Sequence, residues 1–319
     1  MKPLQIQSCT TPDAPLAICI LGPTATGKTS LAMAIAEALP ADIISVDSAM
    51  VYRELDIGSA KPDPVTLQQF PHRLIDILDP SEAYSAGRFC DDALAEMKTI
   101  TSAGRIPLLA GGTMLYFNTL QHGMADLPDA APAVRARLDA QAEEKGWAAL
   151  HQRLAKIDPE SAERIHANDT QRIQRALEVY EISGKTLTQF RADQARYELP
   201  YRLVKIALMP PDRVNLRSSI TERFDAMLVD GLVDEVRRLR NRGDLDTALP
   251  AIRAVGYRQV WGYLEGAYDY TTMRERAITA TAQLAKRQMT WLRSEQNCNF
   301  IDPEALEPEK ILKNLESLL

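Results

Sequence analysis

The first 110 residues alternate between short apolar runs and stretches with helical spacing. The apolar runs are typical of buried strands and occupy residues 16–21, 42–46, 72–77 and 106–110. Helical spacing occupies residues 30–36 and 88–101. This order predicts an α/β fold in which helices cover a parallel sheet. In such sheets ligands bind at the carboxyl ends of the strands.

The pattern changes at about residue 122. Pro128 and Pro132 mark a loop, and the chain then shows helical spacing up to residue 198 without a convincing strand. Helices are expected at 135–144, 147–156 and 170–183. In the last of these, apolar residues recur at intervals of three and four residues, and Gly184 is suited to end the helix. A strand-like run at 201–209 then rejoins the same sheet.

The C-terminal third is again helical. Helices are expected around Leu216–Phe224, ending before Gly231, and at 252–264 and 273–293, with a short strand at 299–301. In the long helix, four residues are expected to face the core: Met273, Ala277, Ala280 and Leu284. We therefore expect an α/β core formed by residues 1–121 and 199–319, with an all-helical insertion at 122–198.

Composition limits the possible classes of protein. With 319 residues, 45% hydrophobic and 25% charged, the chain is typical of a soluble globular enzyme. Its four cysteines, Cys9, Cys19, Cys90 and Cys298, lie far apart, so neither a disulfide framework nor a zinc site is indicated. No apolar stretch reaches the roughly 18 residues of a membrane span. We expect a cytoplasmic monomer that does not bind membranes.

Charge favours a confined nucleic-acid contact over general binding. The net charge is −6, which argues against a protein that coats nucleic acid indiscriminately. Basic residues nevertheless form three islands: Arg172 with Arg175, Arg253 with Arg258, and Lys286 and Arg287 with Arg293. From charge alone, these islands indicate either an RNA-binding track or ordinary solvated helix faces.

Residues 22–29 fit the phosphate-loop pattern G-x-x-x-x-G-K-[ST]. The pattern stands between a predicted strand and a predicted helix, so the fold class expected is a P-loop NTPase-like α/β core. Backbone N–H groups of such a loop face a bound phosphate, Lys28 reaches the outer oxygens, and the Thr29 hydroxyl is placed to hold Mg²⁺. The loop does not specify which phosphate compound binds.

Asp47 directly follows the second predicted strand, about 20 residues after the phosphate loop. Its carboxylate is suited to three roles. It could ligate Mg²⁺, act as a general base, or cap local N–H groups in a turn. The residues by themselves leave these three open.

Seven segments, in order, resemble the bacterial tRNA dimethylallyltransferase family, also called tRNA isopentenyltransferases. They are Gly22–Thr29, 46–62 (with Val46-Asp47-Ser48-Ala49-Met50 and Asp56-Ile57-Gly58-Ser59-Ala60-Lys61-Pro62), 71–76, Gly111-Gly112-Thr113, 171–178, 254–259 and 286–293. The resemblance covers nearly the whole chain.

The resemblance implies transfer of a dimethylallyl group from dimethylallyl diphosphate to N6 of adenosine 37, in tRNAs that read codons beginning with U. The products are N6-(dimethylallyl)adenosine and diphosphate. Mg²⁺ on Thr29 would help to stabilise the departing diphosphate. The implied catalytic residues are Asp47 as general base, Thr24, and Arg223, which otherwise would be a solvated helix residue. The implied diphosphate-binding residues are Gly22, Pro23, Thr24, Ala25, Thr26, Gly27, Lys28 and Thr29, with hydroxyls donated by Thr24 and Thr26.

The resemblance also implies recognition of a single-stranded anticodon loop, from which the target base is extruded. The implied tRNA contacts are Asp47, Ser48, Ala49, Met50, Thr113, Arg135, Gln171, Arg172, Ile173, Gln174, Arg175, Arg253, Gly256, Tyr257, Arg258, Lys286, Arg287, Gln288 and Arg293. The helical insertion would clamp the anticodon arm and swing on binding.

Two other classes of protein remain open at this stage. A P-loop kinase acting on a nucleoside or small molecule would share the phosphate loop and the following aspartate, but has no evident use for three Arg/Gln segments. A nucleotide switch or an RNA-binding module without chemistry would bind tRNA and form no product, and the chain lacks the N-K-x-D run of a GTPase.

Overall fold

Residues 14–193 and 197–318 are described by a computed structural model. The chain divides into two compact units: an α/β unit made of the residues up to Gln121 and from Leu199 onward, and a helical unit, His122–Glu198. Cys9 lies outside the described residues. Within them, no helix is both long enough and apolar enough to cross a membrane.

Six parallel strands form the sheet of the α/β unit. They are β1 (Leu16–Leu21), β2 (Ala41–Val46), β3 (His72–Arg73), β4 (Ile106–Gly111), β5 (Arg202–Leu208) and β6 (Cys298–Ile301). Their order is β3-β2-β4-β1-β5-β6, and every pairing is parallel. The predicted parallel α/β fold is confirmed, and the run at 201–209 does rejoin the sheet, beside β1.

Fourteen helices are found among the described residues. In the α/β unit they are α1 (Lys28–Ala38), α2 (Pro64–Gln69), α3 (Ala86–Ser102), α4 (Met114–His122), α10 (Arg213–Val229), α11 (Leu232–Asn241), α12 (Tyr257–Leu264), α13 (Tyr270–Leu292) and α14 (Pro308–Glu316). In the helical unit they are α5 (Pro132–Lys145), α6 (Trp147–Ile157), α7 (Pro159–Arg164), α8 (Thr170–Ser183) and α9 (Leu187–Asp193). Helix α4 ends one residue inside the second unit.

The sheet is buried because its central strands are apolar on both faces. All six residues of β1 are buried, as expected for a strand covered by helices on both sides. Apolar residues of α1 and α14 pack against one face of the sheet, including Leu31, Ile35 and Ile311. This packing fixes β1 in the middle of the sheet, so the loop after it opens at the centre of the carboxyl edge.

Two predicted element boundaries were wrong. The strand expected at 72–77 pairs only at His72 and Arg73, because Leu74 and Asp76 take positive φ angles of 63° and 57° that turn the chain out of the sheet. The helix expected at 252–264 starts at Tyr257, after Gly256 with φ of 95°.

In α13, Met273 and Ala277 are buried as predicted, whereas Ala280 and Leu284 are half-buried. Leu284 instead lines a cavity. The helix is therefore divided along its length between the core and a solvent-accessible opening.

The helical unit has its own core, formed by Leu138, Ala142, Leu150, Leu154, Ala162, Ile165, Ile173, Ala176 and Leu177. Gly184 ends α8 with φ of 71°, as the sequence predicts. Close to the two ends of the unit, the Tyr197 ring packs against Gly123, where an added Cβ would lie 2.6 Å from Tyr197 Cγ. The entering and leaving segments of this unit therefore lie side by side.

Candidate active site

A cavity of about 710 Å³ opens at the carboxyl ends of β1, β2 and β4. The phosphate loop, Asp47 and the Gly111–Thr113 turn line it from the sheet. Helices α10 and α13 line it from the other side, with segments 58–62 and 250–258 completing the wall. The parallel topology thus brings together the residues that the sequence placed at separate strand ends.

The phosphate loop is held partly by its own side chains. Thr26 Oγ1 donates to the Pro23 carbonyl at 2.9 Å, and Lys28 Nζ donates to the same oxygen. The Thr26 side chain is buried in this contact. The Thr26 hydroxyl therefore shapes the loop, and its donation to a phosphate stays a prediction, whereas Thr24 and Thr29 line the cavity.

Glycines allow the loop its close turns. Gly27 has φ of 79°, a left-handed conformation that glycine adopts without strain. At Gly22 a Cβ would lie 2.9 Å from the carbonyl oxygen of Leu208 on β5. These two positions explain why the motif has glycine at its first and sixth residues.

Gln288 of α13 joins the phosphate loop to the turn after β4. Its Oε1 accepts from the Thr24 N–H at 3.1 Å, and its Nε2 donates to the Gly112 carbonyl at 2.8 Å. A Cβ at Gly112 would lie 2.6 Å from Nε2, so only glycine leaves room for the amide. Gln288 is largely buried and both ends of its amide are bonded within the protein, but it also lines the cavity, so its contact with tRNA stays a prediction.

Two cations and one carboxylate face each other across the cavity. The pKa of Lys28 is lowered to about 7, mainly by burial and also by the charge of Arg223, while the charge of Asp47 opposes the shift. Burial also lowers the pKa of Arg223, again opposed by Asp47. All three line the cavity. An anion placed between Lys28 and Arg223 would relieve their repulsion, so this part of the cavity is suited to a phosphate group.

Asp47 shows one of the three roles left open by the sequence. Its Oδ1 accepts from the N–H groups of Ala49 at 2.8 Å and Met50 at 3.2 Å, which is the turn-capping role. Both bonds use one oxygen of the carboxylate. Because the side chain also lines the cavity and is coupled to Lys28 and Arg223, capping fixes its orientation and does not exclude a chemical role.

Ser48 and Thr113 connect β2 with β4 at the mouth of the cavity. The Ser48 N–H donates to Thr113 Oγ1 at 3.1 Å. Ser48, Ala49, Met50 and Thr113 all line the cavity, as expected for residues that meet a substrate.

The predicted RNA contacts of the α/β unit separate into accessible and buried residues. Arg253, Arg258 and Arg287 are exposed and line the cavity, and Lys286 and Arg293 are exposed on the same helix as Arg287 or just after it. Tyr257 is fully buried, and Gly256 is buried at the start of α12 but lines the cavity. Direct RNA contact stays a prediction for both.

In the helical unit, the buried carboxylate of Glu178 is bonded to Arg135 and Arg175, two of the residues predicted to contact tRNA. It accepts from Arg135 Nε at 2.8 Å, from Arg175 Nη1 at 2.7 Å and from the Ala131 N–H at 2.9 Å. Burial raises the pKa of Glu178, but the bonds from Arg135 and Arg175 outweigh it and leave the pKa below its usual range. Both arginines therefore order the start of α5 in addition to any contact with RNA.

The other predicted contacts of α8 differ in exposure. Gln171 and Arg172 are exposed, and Arg172 pairs with Asp169. Gln174 is half-buried and donates to Asp139 at 2.7 Å. Ile173 is fully buried in the core of the unit, where it helps to hold α8 in place, and its contact with RNA stays a prediction.

Oxygen donors suited to Mg²⁺ lie at the phosphate loop. Thr29 is exposed on the first turn of α1 and lines the cavity together with Asp47. Mg²⁺ is commonly held by one or two protein oxygens, with phosphate and water supplying the rest, so these residues fit that ion. Among the described residues, no group of three or more His, Cys, Asp or Glu could hold a metal by itself.

Sequence reasoning missed Glu235 and did not assign a role to segment 56–60. Glu235 is buried and accepts hydrogen bonds from the backbone of that segment, which lines the cavity at Gly58, Ser59 and Ala60. The available indication was Gly58, because a glycine in an irregular segment often marks a close approach of backbone to another part of the chain.

Fold and site together define a class of protein: a P-loop α/β enzyme with a cavity that is suited to a phosphate group and lined by a carboxylate. Within that class, the chain belongs to the IPP transferase family, whose model matches residues 50–295. A second family model, described as isopentenyl transferase, matches residues 16–79.

Named relatives cover almost the whole chain. A tRNA dimethylallyltransferase from Thioalkalivibrio sulfidiphilus is 56% identical over 308 residues, 97% of this chain and 96% of that protein. One from Nitrosococcus oceani is 54% identical over 306 residues, covering 96% and 98%. These relatives carry the name of a prenyl transferase, and they give no support to the kinase alternative.

Solved structures agree with the fold. The full-length tRNA isopentenylpyrophosphate transferase from Bacillus halodurans superposes with a TM-score of 0.68 at 36% identity and covers 95% of each chain. A eukaryotic dimethylallyltransferase acting on tRNA has a TM-score of 0.77 at 24% identity, over 96% of this chain and 77% of that one. The latter likeness concerns the fold alone.

Proposed function

We propose that this protein transfers the dimethylallyl group of dimethylallyl diphosphate to N6 of adenosine 37 in tRNAs that read codons beginning with U. Membership of the IPP transferase family and relatives named tRNA dimethylallyltransferase support the reaction. The observation that carries the proposal is the meeting of Lys28, Arg223 and Asp47 in one cavity. We further propose that it acts as a cytoplasmic monomer.

The phosphate loop holds the leaving group. Loop N–H groups and the positive end of α1 face the diphosphate, and Lys28 and Arg223 neutralise the charge that grows on it as the C–O bond breaks. Because Lys28 and Arg223 are fixed around the cavity before the substrate arrives, little reorganisation accompanies the reaction. Mg²⁺, held by Thr29, would supply further positive charge to the diphosphate oxygens.

Asp47 receives the proton of the attacking amine. The N6 lone pair of adenine is delocalised into the ring, so the amine must lose a proton as it bonds to carbon. The capping bonds to Ala49 and Met50 hold the Asp47 carboxylate at the end of β2, facing the cavity. A base positioned in this way contributes about 10²–10⁴ in rate.

The exposed cations around the cavity are the proposed contacts of the RNA backbone. Arg253, Arg258 and Arg287 lie at the wall of the cavity itself, so they would meet the phosphates that flank an extruded nucleotide. Lys286 and Arg293 extend the positive surface, and Gln171 and Arg172 are the exposed candidates on the helical unit, which we propose clamps the anticodon arm.

Label transfer with an Asp47→Asn variant tests the proposal. The assay combines purified protein, labelled dimethylallyl diphosphate, Mg²⁺ and unmodified tRNA, and locates the label by nuclease digestion. The asparagine Oδ1 still accepts from Ala49 and Met50, so the turn is kept while the base is lost. We expect a fall in kcat of at least about 10²-fold with tRNA binding retained.

The outcomes separate the reaction from the role of the base. A wild-type protein that leaves adenosine 37 unlabelled, and instead passes phosphate from ATP to a small acceptor, would refute the proposed function in favour of a kinase. Wild-type transfer combined with an unimpaired Asp47→Asn variant would leave the reaction standing and remove Asp47 as the base.

A further inference from the structure

Glu235 is a buried carboxylate outside the catalytic set. It lies in the first turn of α11 and is 2% exposed. A buried charge is strongly unfavourable unless it is fully hydrogen-bonded, so its surroundings are informative.

Four donors converge on this carboxylate. Oε2 accepts from the N–H groups of Asp56 at 3.2 Å and Ile57 at 2.8 Å. Oε1 accepts from the Gly58 N–H at 3.2 Å and from the Tyr257 hydroxyl at 2.6 Å. Three consecutive backbone donors and one phenol therefore share one side chain, and they come from segments about 200 residues apart in the sequence.

Both sets of donors belong to walls of the cavity. Gly58, the last of the three N–H donors, lines the cavity together with Ser59 and Ala60. Tyr257 opens α12 directly after the turn that carries Arg253, and Arg258 follows it. We define these walls as the 56–60 wall and the 253–258 wall. Glu235 is the side chain that bonds to both.

The two walls are also fitted to each other sterically. A Cβ on Gly58 would lie 2.6 Å from the Tyr257 ring and 2.8 Å from Leu232, so only glycine allows this approach. Burial, and then the charge of Glu235, raise the pKa of Tyr257 well above its usual value, so its hydroxyl keeps the proton that it donates. Lys61 supports the 56–60 wall from behind, where its Nζ bonds Asp56 and Asp76.

Given the proposed function, on which this inference rests, we propose that Glu235 is a positioning residue that sets the spacing of the 56–60 and 253–258 walls for the tRNA nucleotide. The diphosphate side of the cavity depends on other contacts, namely the phosphate loop and its bonds to Gln288. Glu235 therefore acts on the nucleic-acid substrate and not on the prenyl donor.

Steady-state kinetics of Glu235→Gln test this separation. The amide keeps the size of the side chain but turns one acceptor into a donor that faces backbone N–H groups or the Tyr257 hydroxyl. We expect KM for tRNA to rise at least about tenfold, the factor that follows from losing one or more hydrogen bonds to a charged group. KM for dimethylallyl diphosphate should change less than about twofold.

Tyr257→Phe is the second variant, because it keeps the ring against Gly58 and removes a single donor. It should fold as the wild type does and raise KM for tRNA by a smaller factor, about two- to fivefold. A Glu235→Gln protein with a native circular dichroism spectrum and unchanged KM for tRNA would overturn the proposal. So would equal rises in KM for both substrates in either variant.

The same experiment distinguishes a failure of the proposed function. If the wild type transfers no prenyl group, the function itself is refuted. If the wild type is active and the variants lack the split between the two KM values, only the positioning role of Glu235 is refuted.

Discussion

Replacement of Gln288 by leucine should loosen the phosphate loop. The change keeps the approximate volume but leaves the Thr24 N–H and the Gly112 carbonyl without their partner. An unsatisfied buried group costs about 1–3 kcal/mol. Gly112 is buried and should lose the full amount, whereas half-buried Thr24 can recover part of its loss from water. The sum is about 2–4 kcal/mol.

Part of this loss of stability should appear as weaker binding of the prenyl donor, dimethylallyl diphosphate, because the loosened loop samples conformations that do not bind a diphosphate. Each 1.4 kcal/mol is tenfold in affinity, so we expect KM for dimethylallyl diphosphate to rise about ten- to a hundredfold. KM for tRNA should stay within about twofold, the reverse of the result expected for Glu235→Gln. Thermal unfolding should also start at a lower temperature, by about 4 °C or more.

Gln283→Leu is the matched control, since it makes the same chemical change on an exposed part of α13. It should leave both KM values and the unfolding temperature unchanged. A Gln288→Leu protein that binds dimethylallyl diphosphate as the wild type does would refute the reasoning, because the amide bridge would then be dispensable for the shape of the loop.

Three further predictions concern single groups. Because the Lys28 pKa is about 7, its charge is lost as pH rises above that value; the affinity for a diphosphate should fall there in the wild type and fall less in Lys28→Arg, as titration calorimetry would measure. Gly112→Ala should displace the Gln288 amide and raise KM for dimethylallyl diphosphate as Gln288→Leu does, measured in the same kinetic assay. Glu178→Gln should destabilise the helical unit by about 1–3 kcal/mol near neutral pH. The pKa of Glu178 is lowered in the folded protein, so its stabilising contribution is complete above the pKa of the unfolded chain and is lost as pH falls through the folded pKa. Unfolding of the wild type and of Glu178→Gln at several pH values below 5 should show the difference in stability shrinking.

The elements that the sequence predicted well are those set by local pattern. Apolar runs defined β1, β2, β4 and β5 to within about two residues, because a strand buried on both faces has few polar positions. The phosphate loop was predictable for a similar reason, since its glycines, lysine and threonine act at fixed spacing. The length of strand β3 was not predictable. Positive φ angles at Leu74 and Asp76 end the strand early, and no local sequence pattern indicates them.

The site was predicted less completely than the fold, because the sequence does not show which side of a helix is buried. Tyr257 and Gln288 lie in two of the segments that resemble the family, and the resemblance implied that both contact tRNA. Helical geometry sends neighbouring residues in directions about 100° apart, and these two point inward, to Glu235 and to the phosphate loop. Glu235 itself lies in a highly charged helix, and its burial depends on backbone donors about 180 residues earlier in the chain.

The contact between Gly123 and Tyr197 has a consequence for the order in which the chain folds. Strand β5 must find β1 across the whole of segment 122–198. If that segment were a flexible coil, closing it would cost about 2–3 kcal/mol more than closing a loop of a few residues. Once the helices of this segment pack on their own core, Gly123 lies beside Tyr197 and the two ends of the segment are close together. Pairing β5 with β1 then costs no more chain entropy than closing a short loop. Disrupting this contact should therefore slow the arrival of β5 in the sheet, seen as a slower refolding phase in stopped-flow experiments, while the completed cavity is unchanged.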